Sequence, residues 1–251
     1  MNTDGLDLAI LGPAFLAGLL VLSTHVPLGR QVLRRGIIFI DLAVAQTAGL
    51  GVIGAGALGW DPHGVAAQVA AFLAAIAAGV FLTWTERHWG EVQEAIIGAL
   101  FVMAATGGIL LLANHPKGGD ELQDLLVGQI LWVDMHVIWP ALVVTAIVLL
   151  CWYRLRHRLG PMGFYLLFAV SVTVAVQLVG VYLVFASLII PALATRSMSR
   201  IRGLAAAYGI GVAGYVLGLL GSALLDLPTG AVVVWTLAAV AVVWRFLLRL
   251  A

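Results

Sequence analysis

Charge and cysteine are what this chain has least of. Only 10% of its 251 residues are Asp, Glu, Lys or Arg, against 63% hydrophobic residues. A soluble domain carries roughly a quarter charged residues, so this balance excludes one and points to a polytopic chain solvated by lipid. A single cysteine, Cys151, excludes an intrachain disulfide framework and any cysteine-rich metal site. The N-terminus, MNTDGLDLA, has acids where a secretory signal has basic residues, so no cleavable targeting peptide is expected. There is no phosphate-binding loop, no His-Glu-x-x-His and no Ser/His/Asp arrangement. The chain is therefore not expected to be an enzyme, and any energy source must come from another chain. Nor is any intrinsic cofactor or nucleic-acid partner expected.

What is present is apolar sequence in long runs. Candidate spans lie near 8–24, 37–59, 65–84, 95–113 and 136–153, then within 164–195, and at 204–225 and 229–247. The stretch 164–195 carries no charge, and as one straight helix it would reach about 48 Å, against a hydrocarbon core of about 30 Å. It also contains Gln177, Gly180 and Pro191. Two shorter helices with a break near Gly180 fit this better than one. Broken backbone at membrane depth is tolerated where it is buried in protein or lines a wet cavity, which marks Gln177 and Gly180 as translocation-path candidates. A tilted or kinked packing helix is the other reading. Small residues crowd 48–59, 70–79 and 209–221 at spacings that let helices approach closely, arguing for a compact bundle.

The basic residues set the orientation. With 164–195 counted as two crossings there are about nine spans, and every arginine falls on one side. These are Arg30, Arg34, Arg35, Arg87, Arg154, Arg156, Arg158, Arg196, Arg200, Arg202, Arg245 and Arg249. Lys117 alone falls on the other. By the positive-inside rule the N-terminus is outside and the C-terminus inside. The outer loops carry Asp4, Asp7, Asp61, Asp120, Glu121, Asp124 and Asp226, which read as solubilising loop chemistry or as a cation-gathering face. His63, His115 and His136 are scattered among turns without ligand spacing.

Asp41 stands inside the second span with no basic residue in its layer. An intramembrane carboxylate is expensive and reads first as a functional site. The structural alternative is a helix-start carboxylate reaching back to Arg34 or Arg35, about 7 Å away. Gln46 is a further path candidate, although it lies about 140° around the helix from Asp41. Glu94 reads as a helix-start acid complementing the dipole.

Five segments then carry a resemblance. VGVYLVFASLIIPALATR (179–196), LDLPTGAVVV (225–234), LRRGIIFIDLAVAQ (33–46), EAIIGALF (94–101) and LLVGQIL (125–131) occur in the order found in membrane permeases of the zinc/manganese ABC importers. The chain resembles a divergent member of that family across nearly its whole length, as a single transmembrane permease domain over 1–251. The resemblance implies an all-α homodimeric permease in a bacterial cytoplasmic (inner) membrane. It implies import of a divalent metal by alternating access, with ATP bound by a partner cytosolic ATPase and the ion delivered by an extracytoplasmic metal-binding protein.

Three departures stand beside it. The family's Asp-x-x-x-His of the second helix, whose two side chains can hold one cation and which implies a metal-ligand role for Asp41, is here Asp41 followed by Ala45, and its Gly-Asp before the next helix is Gly128-Gln129. The longer cytoplasmic segment after the fifth helix is shortened to RLRHRLGPMG (154–163). Within it Arg158, Leu159, Gly160 and Met162 form the expected ATPase-coupling element, built on a Gly-Pro turn. An ATP-independent secondary transporter or channel using Asp41 remains an alternative function, as does a non-transporting degenerate paralogue.

Overall fold

A computed structural model describes residues 8–61, 64–113, 118–155, 158 and 160–250. Among them the chain is helical throughout, in ten α-helices. These are α1 (Leu8–Arg35), α2 (Ile40–Ala57), α3 (Val65–Trp89), α4 (Gln93–Leu112), α5 (Gly118–Val127), α6 (Met135–Leu155), α7 (Pro161–Val179), α8 (Val181–Ala194), α9 (Arg200–Leu225) and α10 (Thr229–Leu250). Helices are what the bilayer demands, because a backbone in hydrocarbon must satisfy its own N–H and C=O groups.

Seven helical stretches are long and apolar enough to cross a membrane. One of them, Val65–Leu112, runs for 48 residues. The 3₁₀ turn Gly90–Val92 divides it into α3 and α4, each long enough to span about 30 Å. Counting these separately and adding the shorter α8 gives nine apolar helices among the described residues.

Two boundaries differ from the sequence-based expectation. The first span does not stop near residue 24 but runs on to Arg35, through Pro27. Arg30, Arg34 and Arg35 therefore ride on α1, and the last two complement the negative end of its dipole. In addition α5 occupies sequence read as acidic outer loop. Its apolar residues recur at helical spacing, Leu122, Leu125 and Leu126, but acids interrupt every hydropathy window across it.

Small residues do the packing in α9 and α10. A Cβ on Gly218 would lie 2.6 Å from the Val233 Cα, and one on Gly214 would lie 3.0 Å from the Leu237 Cα. The two backbones approach closely because glycine stands at these positions, one turn apart.

The arginine clusters gather at one end. Arg30 donates to the Met198 carbonyl at 3.4 Å and Arg245 to the Ser197 hydroxyl at 2.9 Å, joining the ends of α1 and α10 to the α8–α9 turn. Arg35 pairs with Glu86 on α3 at 3.5 Å and lies over the Phe164 ring of α7 at 4.3 Å. Phe164 in turn meets Trp152 near the end of α6.

Candidate functional site

The break near Gly180 is where the sequence places it. Gly180 has φ 79° and ψ 164°, outside any helix, and ends α7 while starting α8. At 14 residues α8 reaches about 21 Å, less than a bilayer core, so the break lies at membrane depth. It is buried against a second glycine, Gly128, also at positive φ, 70°. A Cβ on Gly180 would fall 2.6 Å from both the Gly128 Cα and the Val127 carbonyl carbon, and one on Gly230 would fall 2.5 Å from the Val127 oxygen. The connection after α5, the α7–α8 elbow and the start of α10 thus meet at one point.

Asp41 occupies the first turn of α2 and is fully buried. Neither carboxylate oxygen has a hydrogen-bond partner among the described residues. The alternative of a salt link to α1 is not realised, because Arg35 is taken up by Glu86 and Phe164 and Arg34 is exposed. An isolated ionised carboxylate is costly to bury, so the position favours the neutral acid or a carboxylate matched by a cation. Gln46 is buried one turn and a half further along α2, whereas Gln177 is exposed on α7. The structure therefore does not bring Gln177 into the buried layer that holds Asp41. Glu94 serves a second purpose beyond opening α4: its Oε1 accepts the Phe39 N–H at 3.1 Å, closing a free donor at the start of α2.

One buried polar residue escaped the sequence reading. His25, in the apolar run LLVLSTHVPLG (19–29), is fully buried. Its Nδ1 lies 3.0 Å from both the Val21 carbonyl and the Thr24 hydroxyl, while Nε2 has no partner among the described residues. Donation from Nδ1–H to that carbonyl leaves Nε2 with an open lone pair, the tautomer suited to a metal. The available signal was a lone histidine with Ser and Thr inside an otherwise apolar helix.

The segments that carry His25 and Asp41 both reach α8. A Cβ on Gly29 would lie 2.9 Å from the Leu188 carbonyl carbon, and Phe39 stacks on Phe185 with ring centroids 6.4 Å apart. His25 is one turn from Gly29 and Asp41 two residues from Phe39, so α8 is a neighbour that the two segments share. Both their helices pack on α7 and α8. No group of three or more His, Cys, Asp or Glu side chains that could hold a metal ion occurs among the described residues.

On the coupling segment, Leu159 lies outside the described residues. Arg158 is exposed in a turn, Gly160 caps α7 ahead of Pro161, and Met162 is exposed.

The sequence model of the ABC 3 transport family matches residues 7–164 and 157–247. The chain belongs to the ABC 3 transport family. Similarity to named proteins follows that family. A "Probable metal transport system membrane protein" of Chlamydia trachomatis is 29% identical over 194 residues, 68% of this chain. The match spans 64% of that relative's length. The fold superposes on PsaBC from Streptococcus pneumoniae, solved in complex with Fab, with TM-score 0.76 at 22% identity, covering 97% of this chain and 95% of that one. It also superposes on a transporter described as of metal-chelate type, in an inward-facing conformation. There the TM-score is 0.67 at 17% identity, over 93% and 85% of the two chains. The ABC 3 fold is thus present over the whole described bundle.

Proposed function

We propose that this ABC 3 family chain is the permease subunit of an ABC importer that passes a divalent transition metal, zinc or manganese, across a bacterial cytoplasmic membrane. The observation that carries the reading is Asp41, a fully buried carboxylate without a partner on a helix that packs against the broken pair α7–α8. A transported cation in passage supplies the charge that the protein leaves out. His25 Nε2, likewise buried without a partner among the described residues, is a candidate second donor in place of the family's histidine, where this chain has Ala45. One carboxylate and one imidazole make a weak site, suited to passage rather than storage.

The path runs past Gln46 and the Gly180 elbow. Gln177 joins it across the axis of a homodimer, since its own chain leaves it exposed. Metal arrives from an extracytoplasmic binding protein, and ATP is hydrolysed by a cytosolic ATPase that meets residues 154–163. The Chlamydia relative's description as a metal transport system membrane protein supports the cargo class.

The test is uptake of radioactive zinc or manganese into proteoliposomes that contain the permease, its operon ATPase and ATP. Asp41→Asn keeps the shape and removes the charge, and it should reduce ATP-dependent uptake at least tenfold. Unchanged uptake would make Asp41 structural. Uptake that persists without ATPase would replace this reading by a secondary transporter or channel, and no uptake under any condition would leave a degenerate paralogue.

A further inference from the structure

Two cavities at the arginine-rich end share a wall. The larger, about 520 Å³, runs between α8 and α10 along Ile190, Leu193, Ala238, Ala241 and Val242, with Arg196 and Arg245 at its polar edge. The smaller, about 390 Å³, is enclosed by Arg30, Arg34 and Arg196 together with Leu33 and Ala192. Among the described residues, no acidic side chain lines either one.

The guanidinium groups are held by neutral acceptors. Arg30 donates one Nη to the Met198 carbonyl, and its other Nη is buried without a partner. Arg245 donates to the Ser197 hydroxyl. Their charge is therefore positioned but not compensated. The apolar groove beside them opens outward, with Leu193 45% and Val242 53% exposed. A cationic pocket continuous with an apolar groove on a membrane-embedded surface matches a ligand with a phosphate at one end and a hydrocarbon chain at the other. A free phosphate would use the first pocket and leave the groove without purpose.

We propose that these cavities bind one anionic glycerophospholipid per chain. Its phosphate lies among Arg30, Arg34 and Arg196, and one acyl chain lies along α8 and α10. The occupant belongs to the leaflet at the arginine-rich end.

Native mass spectrometry of the full-length protein, purified in mild detergent, tests this with phosphatidylglycerol and phosphatidylcholine of identical chains. One phosphatidylglycerol per chain should be retained in preference. The Arg34→Gln/Arg196→Gln variant should weaken retention by roughly twentyfold, at about fivefold per arginine. Ala238→Trp fills the groove without touching charge and should also displace the lipid. Equal retention of the two lipids, or phosphatidylglycerol retention unchanged in both variants, would overturn the site. So would competition by soluble glycerol phosphate as effective as by lipid, which assigns the pocket to free phosphate. In a Cys151→Ser background, a Val242→Cys side chain should react with a lipid-soluble maleimide in the assembled, delipidated transporter, and added phosphatidylglycerol should slow that reaction. Complete protection in the delipidated assembly would mean that a second copy or the ATPase covers the groove, and the lipid proposal falls.

Discussion

Gly180 and Gly128 keep each other's backbone in place. Each has positive φ, and a Cβ on Gly180 would stand 2.6 Å from the Gly128 Cα. The α7–α8 elbow is thereby seated on backbone rather than on side chains, and neither residue has room to change.

Gly180→Ala should therefore be among the costliest single changes in the chain. Left-handed backbone costs about 1–3 kcal/mol for a non-glycine residue, and overpacking adds about 1–3 more. Gly54, in the last turn of α2 with nothing within 4 Å of a built Cβ, provides the contrast. Gly54→Ala should leave stability unchanged or raise it by up to about 1 kcal/mol. Thermal unfolding in detergent reads both, and a Gly180→Ala variant as stable as Gly54→Ala would contradict the tight crossing.

For Asp41→Asn the stability prediction runs opposite to the transport prediction. A buried carboxylate without partners contributes nothing that its neutral isostere would lose. The variant should melt at or above the temperature of the native chain. A clear drop would reveal a partner that stabilises the charged group.

Glu94→Ala should cost about 0.5–2 kcal/mol, the usual range for losing a helix cap, because the Phe39 N–H loses its acceptor. Glu94→Gln retains an oxygen there and should recover most of the loss. Equal losses in both variants would show that charge, not the cap, matters at this position.

Orientation can be read by labelling in intact cells, in a Cys151→Ser background. Gly119 is exposed with nothing within 4 Å of a built Cβ, and Leu155 is exposed at the other end of α6. A membrane-impermeant maleimide should reach Gly119→Cys and miss Leu155→Cys. The reverse pattern would invert the topology.

Met162→Asp should release the ATPase from the purified complex while leaving the permease's own association state unchanged, as seen by size exclusion. Met162 is exposed one residue into α7, so the substitution costs no core packing. Retention of the ATPase would move the contact elsewhere on the arginine-rich end.

The apolar helices and the break at Gly180 were legible because both follow from how much hydrocarbon a run must cross. Partners were not legible. Nothing in LLVGQIL announces that Gly128 will meet Gly180, since that contact joins residues far apart in the chain through backbone alone. Asp41 was visible as an anomaly, but its lack of a partner depends on where Arg35 goes, and Arg35 goes to Glu86 and Phe164. His25 was passed over because a single histidine in an apolar helix has no period to expose it. The helix α5 was missed for a related reason: its apolar face is only three leucines wide.

The end of α1 is tied on two flanks. Through Arg30 it holds the turn between α8 and α9, and through Arg35 it holds α3 and α7. These two flanks lie on either side of the Gly180 elbow. A displacement of the α8–α9 turn is thus handed across the molecule within two turns of a single helix, without passing through the elbow itself. α1 acts as a yoke, and the stiffness of its last two turns sets how faithfully one half of the bundle follows the other.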